Sequence, residues 1–247
     1  MWHPTQYEAQ IASEWPELRG RRPPKGAVDR TAVRLKVGHG LTVTETALAF
    51  LKDARRCQPL DWIPEVHHPL GGGEAVIPDA LLYYQHRSAN RTSSTTGTDG
   101  CNEDKNDVGG GVMLRAFVEV DRATMGPERL AAKLGSYARL HSYAPAPAAR
   151  QRQQPFPEPV QETWRQRYPL FPRLLFVLDG TGPTGVETRI HALRTAARDL
   201  ALAGFLREVP VLAAPMTDLL HHGLTAPVWR PIHDPDHRVD WMHTRHP

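Results

Sequence analysis

The alternation of apolar and polar positions is sharpest in Met113-Leu-Arg-Ala-Phe-Val-Glu-Val-Asp121. Successive strand residues point to opposite faces. Leu114, Ala116, Val118 and Val120 therefore share one face, and Arg115, Phe117, Glu119 and Asp121 the other. Gly126-Pro-Glu then predicts a helix start, because proline at the first helical position gives up no hydrogen bond. Leu130, Leu134, Tyr137 and His141 mark one stripe of that helix. Pro172-Arg-Leu-Leu-Phe-Val-Leu178 is apolar almost throughout and reads as a buried, central strand. Val186 to Leu202 reads as an amphipathic helix with Ile190, Leu193, Ala197, Leu200 and Ala201 inward. Val209 to Ala213 is a last short strand, and Asp218 to Leu220 a helical turn.

Upstream, Gln6 to Trp15 has helical spacing, and Val33 to Lys36 alternates as a short strand would. Thr42-Val-Thr-Glu45 reads as a capping box opening a helix from Thr42 to about Arg56, with Ala47, Leu48, Leu51 and Ala54 as its apolar stripe. Leu60–Val66 and Ala75–Tyr84 read as two strands of a hairpin, turned at Pro69-Leu-Gly-Gly-Gly73. The order of elements implies an α/β fold with a mixed central sheet flanked by helices.

Two stretches interrupt this pattern. Residues 86–111 are rich in serine, threonine, asparagine and glycine, have little to bury, and are expected to be a flexible insert. Residues 144–160 are rich in proline, glutamine and arginine and are expected to be flexible as well. The domain reading is an N-terminal extension over 1–38, an α/β domain over 39–232 and a His/Asp-rich tail over 233–247. Arg19-Gly-Arg-Arg-Pro-Pro-Lys25 reads as a solvated connector, with a phosphate-contacting arm as the alternative.

A net charge of +3 is compatible with DNA but far from polybasic. Two cysteines, Cys57 and Cys101, make no disulfide framework and point to a reducing cytoplasm. No apolar run reaches the roughly 20 residues a membrane span requires.

The chemistry concentrates in three acids at strand ends. Glu119 and Asp121 lie on one strand face, roughly 6.5–7 Å apart by strand rise. Like charges that close raise each other's pKa unless a cation sits beside them, so a positive partner is expected there. Asp79, in Ile77-Pro-Asp-Ala80, is the third. Pro-Asp followed at a distance by Glu-x-(basic residue) resembles the PD-(D/E)xK nuclease-like fold, in which the aspartate and glutamate bind a divalent metal. The preceding helix, the strands, the following helix and the next strand match the order of that core. Here Asp121 stands where the pattern has lysine, and Arg122 points to the other face. Lys133 can supply the charge from the following helix. Tyr137, four residues on, shares its helical face, a spacing similar to the Gln-x-x-x-Tyr motif of some exonuclease-type members.

Ile77-Pro-Asp-Ala-Leu-Leu, Phe117-Val-Glu-Val-Asp-Arg-Ala-Thr, Lys133-Leu-Gly-Ser-Tyr, Pro169-Leu-Phe-Pro-Arg-Leu-Leu-Phe-Val and Pro227-Val-Trp-Arg-Pro together resemble the replication-relaxation family of actinobacterial proteins. His39-Gly-Leu-Thr-Val-Thr and Pro59-Leu-Asp-Trp also fit, so the resemblance spans roughly residues 39 to 232. It implies a DNA-associated accessory protein in the replication and relaxation of plasmids and mobile elements, with DNA and other replication or mobilisation proteins as partners. The family's Glu-x-Asp pattern makes Asp121 a family feature. Members often carry a winged-helix DNA-binding region ahead of the His-x-Leu segment. Residues 1–38 are too few for a complete one, so the expectation is either a truncated start that leaves a remnant, or a DNA-reading module that is missing or lies on another chain.

The expected site is therefore Asp79, Glu119 and Asp121 as ligands of Mg²⁺, with Lys133 and Tyr137 as supporting catalytic residues. The rival reading is a non-catalytic DNA- or protein-binding module that keeps a degenerate nuclease fold. His67-His68 and His221-His222 are neighbours that regular structure aims apart, so neither pair reads as a chelate. Asp179-Gly-Thr-Gly-Pro-Thr-Gly185 lacks the lysine of a nucleotide-binding loop and reads as a plain turn. His233, Asp234, Asp236 and His237 lack a rigid frame.

Overall fold

A computed structural model describes residues 30–57, 60–86, 112–145 and 161–242. The expectations for Gln6–Trp15, for the Arg19–Lys25 run, for Cys101 and for most of the two inserts lie outside the described residues. The chain divides into two compact units, Met1–Thr44 and Glu45–Pro247.

Helix α1 runs from Arg30 to Cys57. This corrects two expectations: Val33–Lys36 is helical, and Thr42 does not open a helix. Thr42 Oγ1 donates to the Gly38 carbonyl at 3.3 Å, and Thr44 Oγ1 to the Gly40 carbonyl at 2.8 Å. Both hydroxyls thus bond back one turn within the helix instead of capping it.

In the second unit, β1 (Leu60–Pro64), β4 (Ala80–His86), β5 (Val112–Asp121), β6 (Arg173–Leu178), β7 (Val211–Pro215) and β8 (Arg230–Pro231) form a six-stranded sheet in the order β1-β4-β5-β6-β7-β8. Pairings β5–β6 and β6–β7 are parallel; β1–β4, β4–β5 and β7–β8 are antiparallel. The sheet is mixed, as expected, and β6 is buried along its whole length. The expected hairpin exists as the β1–β4 pair, but Ile77–Asp79 leave the strand. A smaller hairpin, β2 (His68–Gly71) with β3 (Glu74–Val76), holds the glycine turn.

Helix α2 (Pro127–Ser142) has Gly126 at its N-cap and proline in its first turn, and buries Leu130, Leu134, Tyr137 and Leu140. Helix α3 (Pro183–Ala196) buries Val186, Arg189, Ile190 and Leu193. It stops sooner than the periodicity suggests. A 3₁₀ turn at Leu200–Leu202 follows, started by Asp199, whose side chain accepts from the Ala201 N–H. Leu200, expected inward, is 90% exposed, and Ala201 is exposed too. Helices α4 (Ala203–Glu208) and α5 (Met216–His222) flank β7.

The apolar side chains of α2 and α3 pack with Leu81, Phe117, Leu174 and Phe176 in one core. On the other face Phe50 meets Trp62 and Trp241 at 5.7 and 6.0 Å, and Trp241 meets Tyr84 at 5.3 Å. The odd-numbered face of β5 is thereby turned toward α2 and α3, which decides where Glu119 and Asp121 go.

Candidate functional site

Glu119 lies near the end of β5, between β4 and β6. Ala80 pairs with Val118 in the antiparallel β4–β5 ladder. One step further along that register, Asp79 comes opposite Glu119. Its carboxylate accepts from the Val120 N–H at 2.7 Å, which ties it to β5.

The turn after β5 sends α2 back across the same face. One helical turn separates Lys133 from Tyr137, so both reach Glu119. The Tyr137 hydroxyl donates to Glu119 Oε1 at 2.6 Å, and Lys133 Nζ donates to Oε2 as an ion pair. The Glu119 side chain is 2% exposed and that of Lys133 36%. The cluster therefore meets solvent through Lys133. Behind it, the Tyr137 and Phe117 rings, 5.4 Å apart, close it off.

Burial is the largest influence on Glu119 and raises its pKa; Asp79 adds to the rise, while Lys133 and Tyr137 oppose it. Burial acts to lower the pKa of Lys133, but Glu119 and Asp79 outweigh it and the net shift is upward. Tyr137, buried and beside Glu119, is held well above the usual phenol range. Lys133 is thus a cation and Tyr137 a neutral donor throughout the ordinary pH range. A cation bound to a deeply placed carboxylate is the partner the two strand acids call for.

Asp121 faces elsewhere. Arg189 Nε of α3 donates to its Oδ2 at 2.5 Å, and the Ala123 N–H to its Oδ1 at 3.1 Å. The same guanidinium donates to the Met125 carbonyl at 3.2 Å and the Gly185 carbonyl at 3.4 Å. The two side chains are 9% and 10% exposed, a buried bolt between β5, the α2 entry turn and α3. Arg122, on the opposite parity, lies 3.9 Å from Asp179. Gly180, with φ +69°, passes so close to the Arg122 carbonyl that a Cβ would stand 2.6 Å from it, so the glycine-rich loop serves this crossing.

The structure thus brings Asp79, Glu119, Lys133 and Tyr137 together and turns Asp121 to a separate cation. Among the described residues no group of three or more His, Cys, Asp and Glu side chains is arranged to hold a metal ion. The oxygen donors of the cluster are the two carboxylates Asp79 and Glu119, the latter already accepting from Tyr137 and Lys133. That set is of the kind Mg²⁺ accepts, since it takes one or two carboxylates and keeps several waters.

Two features escaped the sequence reading. Arg189 is one; its signal was an arginine inside the stripe Val186, Ile190, Leu193, where a charge needs a buried partner. The second is His68. It is buried, with Nδ1 2.9 Å from the Val66 carbonyl and Nε2 2.8 Å from the Tyr168 hydroxyl. Burial first, then Arg167, lowers its pKa to about 4. His221 bonds its own helix at the Thr217 carbonyl, and His237 lies 3.2 Å from Asp234.

Among the described residues no helix is long and apolar enough to cross a membrane. A family model described as replication-relaxation matches residues 6–152, more than half of the chain. No curated protein and no solved structure matches it.

Proposed function

The chain belongs to the replication-relaxation family, and from that premise we propose that it is a DNA-associated accessory protein of plasmid or mobile-element replication that acts on a phosphodiester through Asp79, Glu119, Lys133 and Tyr137. The observation that carries this reading is the convergence on Glu119 of Lys133 and Tyr137 from α2, with Asp79 opposite across the ladder. Here a buried carboxylate, a second carboxylate and a lysine with a solvent-facing side chain share one place.

Asp79 and Glu119 would hold Mg²⁺, which when bound supplies positive charge against phosphate oxygens and acidifies a water ligand. The chain's own groups do the rest. Lys133 presents a cation to the phosphate and steadies the charge that grows on it. Tyr137 fixes the Glu119 carboxylate by donating to Oε1. Phe117 and Tyr137 keep water from the rear of the cluster. Asp121, bolted to Arg189, sets the end of β5 and the entry to α2.

The second reading, a non-catalytic DNA- or protein-binding module, draws on the same hydrogen bonds: both oxygens of Glu119 and both of Asp121 already have protein donors. Nicking of supercoiled plasmid in Mg²⁺ or Mn²⁺ separates the two. The first reading expects activity in the wild type and its loss in Glu119→Ala and Asp79→Ala. Equal nicking by all three proteins identifies a contaminant, and DNA retained without nicking favours the binding module.

A further inference from the structure

Toward the start of β5, on the same face as Glu119, Arg115 stands directly across from Tyr83 with its guanidinium 5.3 Å from the ring centroid. Its Nε is buried and has no hydrogen-bond partner. Nearby, Arg167 donates to the His67 carbonyl at 2.9 Å and so ties the turn before β6 to the base of the β2–β3 hairpin. Both guanidiniums lie close enough to act on the Tyr168 phenol. Burial, with Tyr83, pushes that phenol up to about 12, and Arg167 and Arg115 both pull the other way. Arg167 and His67 likewise both act against protonation of His68.

Among the described residues, Arg139, Arg165, Arg189, Arg230 and Arg238 each have a carboxylate partner within hydrogen-bond distance, while Arg115 and Arg167 have none. Asp61 shares this sheet face and pairs with Tyr83 in the β1–β4 register. That puts it two strand spacings, about 10 Å, from Arg115. Positive charge is therefore gathered around two tyrosines, and among the described residues neither arginine has a carboxylate within ion-pair distance.

We propose that Arg115, Arg167 and His67, around Tyr83 and Tyr168, form a seat for the phosphodiester backbone of DNA. This rests on the DNA reading above and names the side chains that hold the backbone. Guanidinium forks match phosphate oxygens, and Tyr168, itself buried in the core, backs the patch from beneath. Arg115 and Glu119 lie four residues apart on one strand face, about 13 Å. Phe117 between them, 5.8 Å from Tyr168 and 5.4 Å from Tyr137, makes the spacing rigid.

The test is fluorescence anisotropy of the full chain with labelled single-stranded and duplex oligonucleotides across a salt series. Arg115→Gln/Arg167→Gln is expected to weaken binding about 10-fold at physiological salt. Its log Kd–log salt slope becomes shallower by about 1.4 on single strands or about 1.8 on duplex, the value of two phosphate contacts. The larger loss identifies which form is seated. Arg115→Lys/Arg167→Lys keeps most of the slope, and Arg139→Gln, which removes an arginine from a surface pair, leaves it unchanged. If the double glutamine variant fails to fold, Arg167→Gln alone, at an exposed side chain, carries the test with half the slope change. Wild-type affinity and slope in the glutamine variants overturn the seat and leave the DNA reading standing. A wild type that binds neither oligonucleotide overturns both.

Discussion

Tyr137 donates to Glu119 across 2.6 Å, joining a helix and a central strand through two side chains that are both almost wholly buried. The phenol satisfies Oε1 while Lys133 satisfies Oε2. Tyr137→Phe keeps the ring packing and removes one donor. It is expected to cost about 1–3 kcal/mol, the penalty for leaving a buried acceptor short of a partner. Urea denaturation measures it, and an unchanged midpoint would mean that the hydroxyl contributes nothing.

Lys133 and Glu119 are expected to be strongly coupled. Removing the lysine alone, as in Lys133→Met, leaves a buried carboxylate unbalanced and costs about 3 kcal/mol, at the low end for buried pairs because the lysine is partly exposed. Glu119→Gln relieves that imbalance, so the double variant is more stable than the sum of the single losses. A double-mutant cycle reads the coupling directly; simple additivity would show two independent groups.

Asp121 and Arg189 form the more enclosed pair, and their work is architectural. Arg189→Met is expected to cost about 3–5 kcal/mol and to loosen the entry to α2, which hydrogen exchange at Ala123–Gly126 would detect. Stability unchanged from wild type would contradict the assignment of Asp121 to structure.

His68 predicts a pH dependence on the acid side. Its folded pKa is lowered to about 4 from 6.5, so the unfolded chain binds its proton first as pH falls. The stability it contributes is complete above pH 6.5 and is lost progressively as pH falls toward 4. Chemical denaturation from pH 7 to pH 4 should show this decline, and His68→Gln should flatten it. An identical slope in the variant would place the titration elsewhere.

Much of this was legible in the sequence where periodicity is strong. The strand Val112–Asp121, the Pro127 helix start and the buried run Arg173–Leu178 each carry a clear repeat, and each forms as read. The family, too, is the one the motifs indicated. Helix α1 was misread because Gly38, Gly40, Thr42 and Thr44 are turn and cap residues by local preference, and helical back-bonding overrides that preference. The partner of Asp121 was hidden for another reason. Arg189 is 68 residues away, and only the packing of α3 against β5 brings the two together. Lys133 and Tyr137 were within reach because an i, i+4 pair on one helix face needs no tertiary information. Which acid they would meet depended on the face that β5 turns toward α2.

The most direct measurement is a paired assay of binding and nicking on one supercoiled plasmid with wild type, Glu119→Gln and Lys133→Met in Mg²⁺. The predicted result is that all three bind, while nicking falls sharply in Glu119→Gln, which loses a carboxylate that would hold the metal, and also drops in Lys133→Met. Nicking by Glu119→Gln at the wild-type rate would contradict a role for this cluster in cleaving DNA.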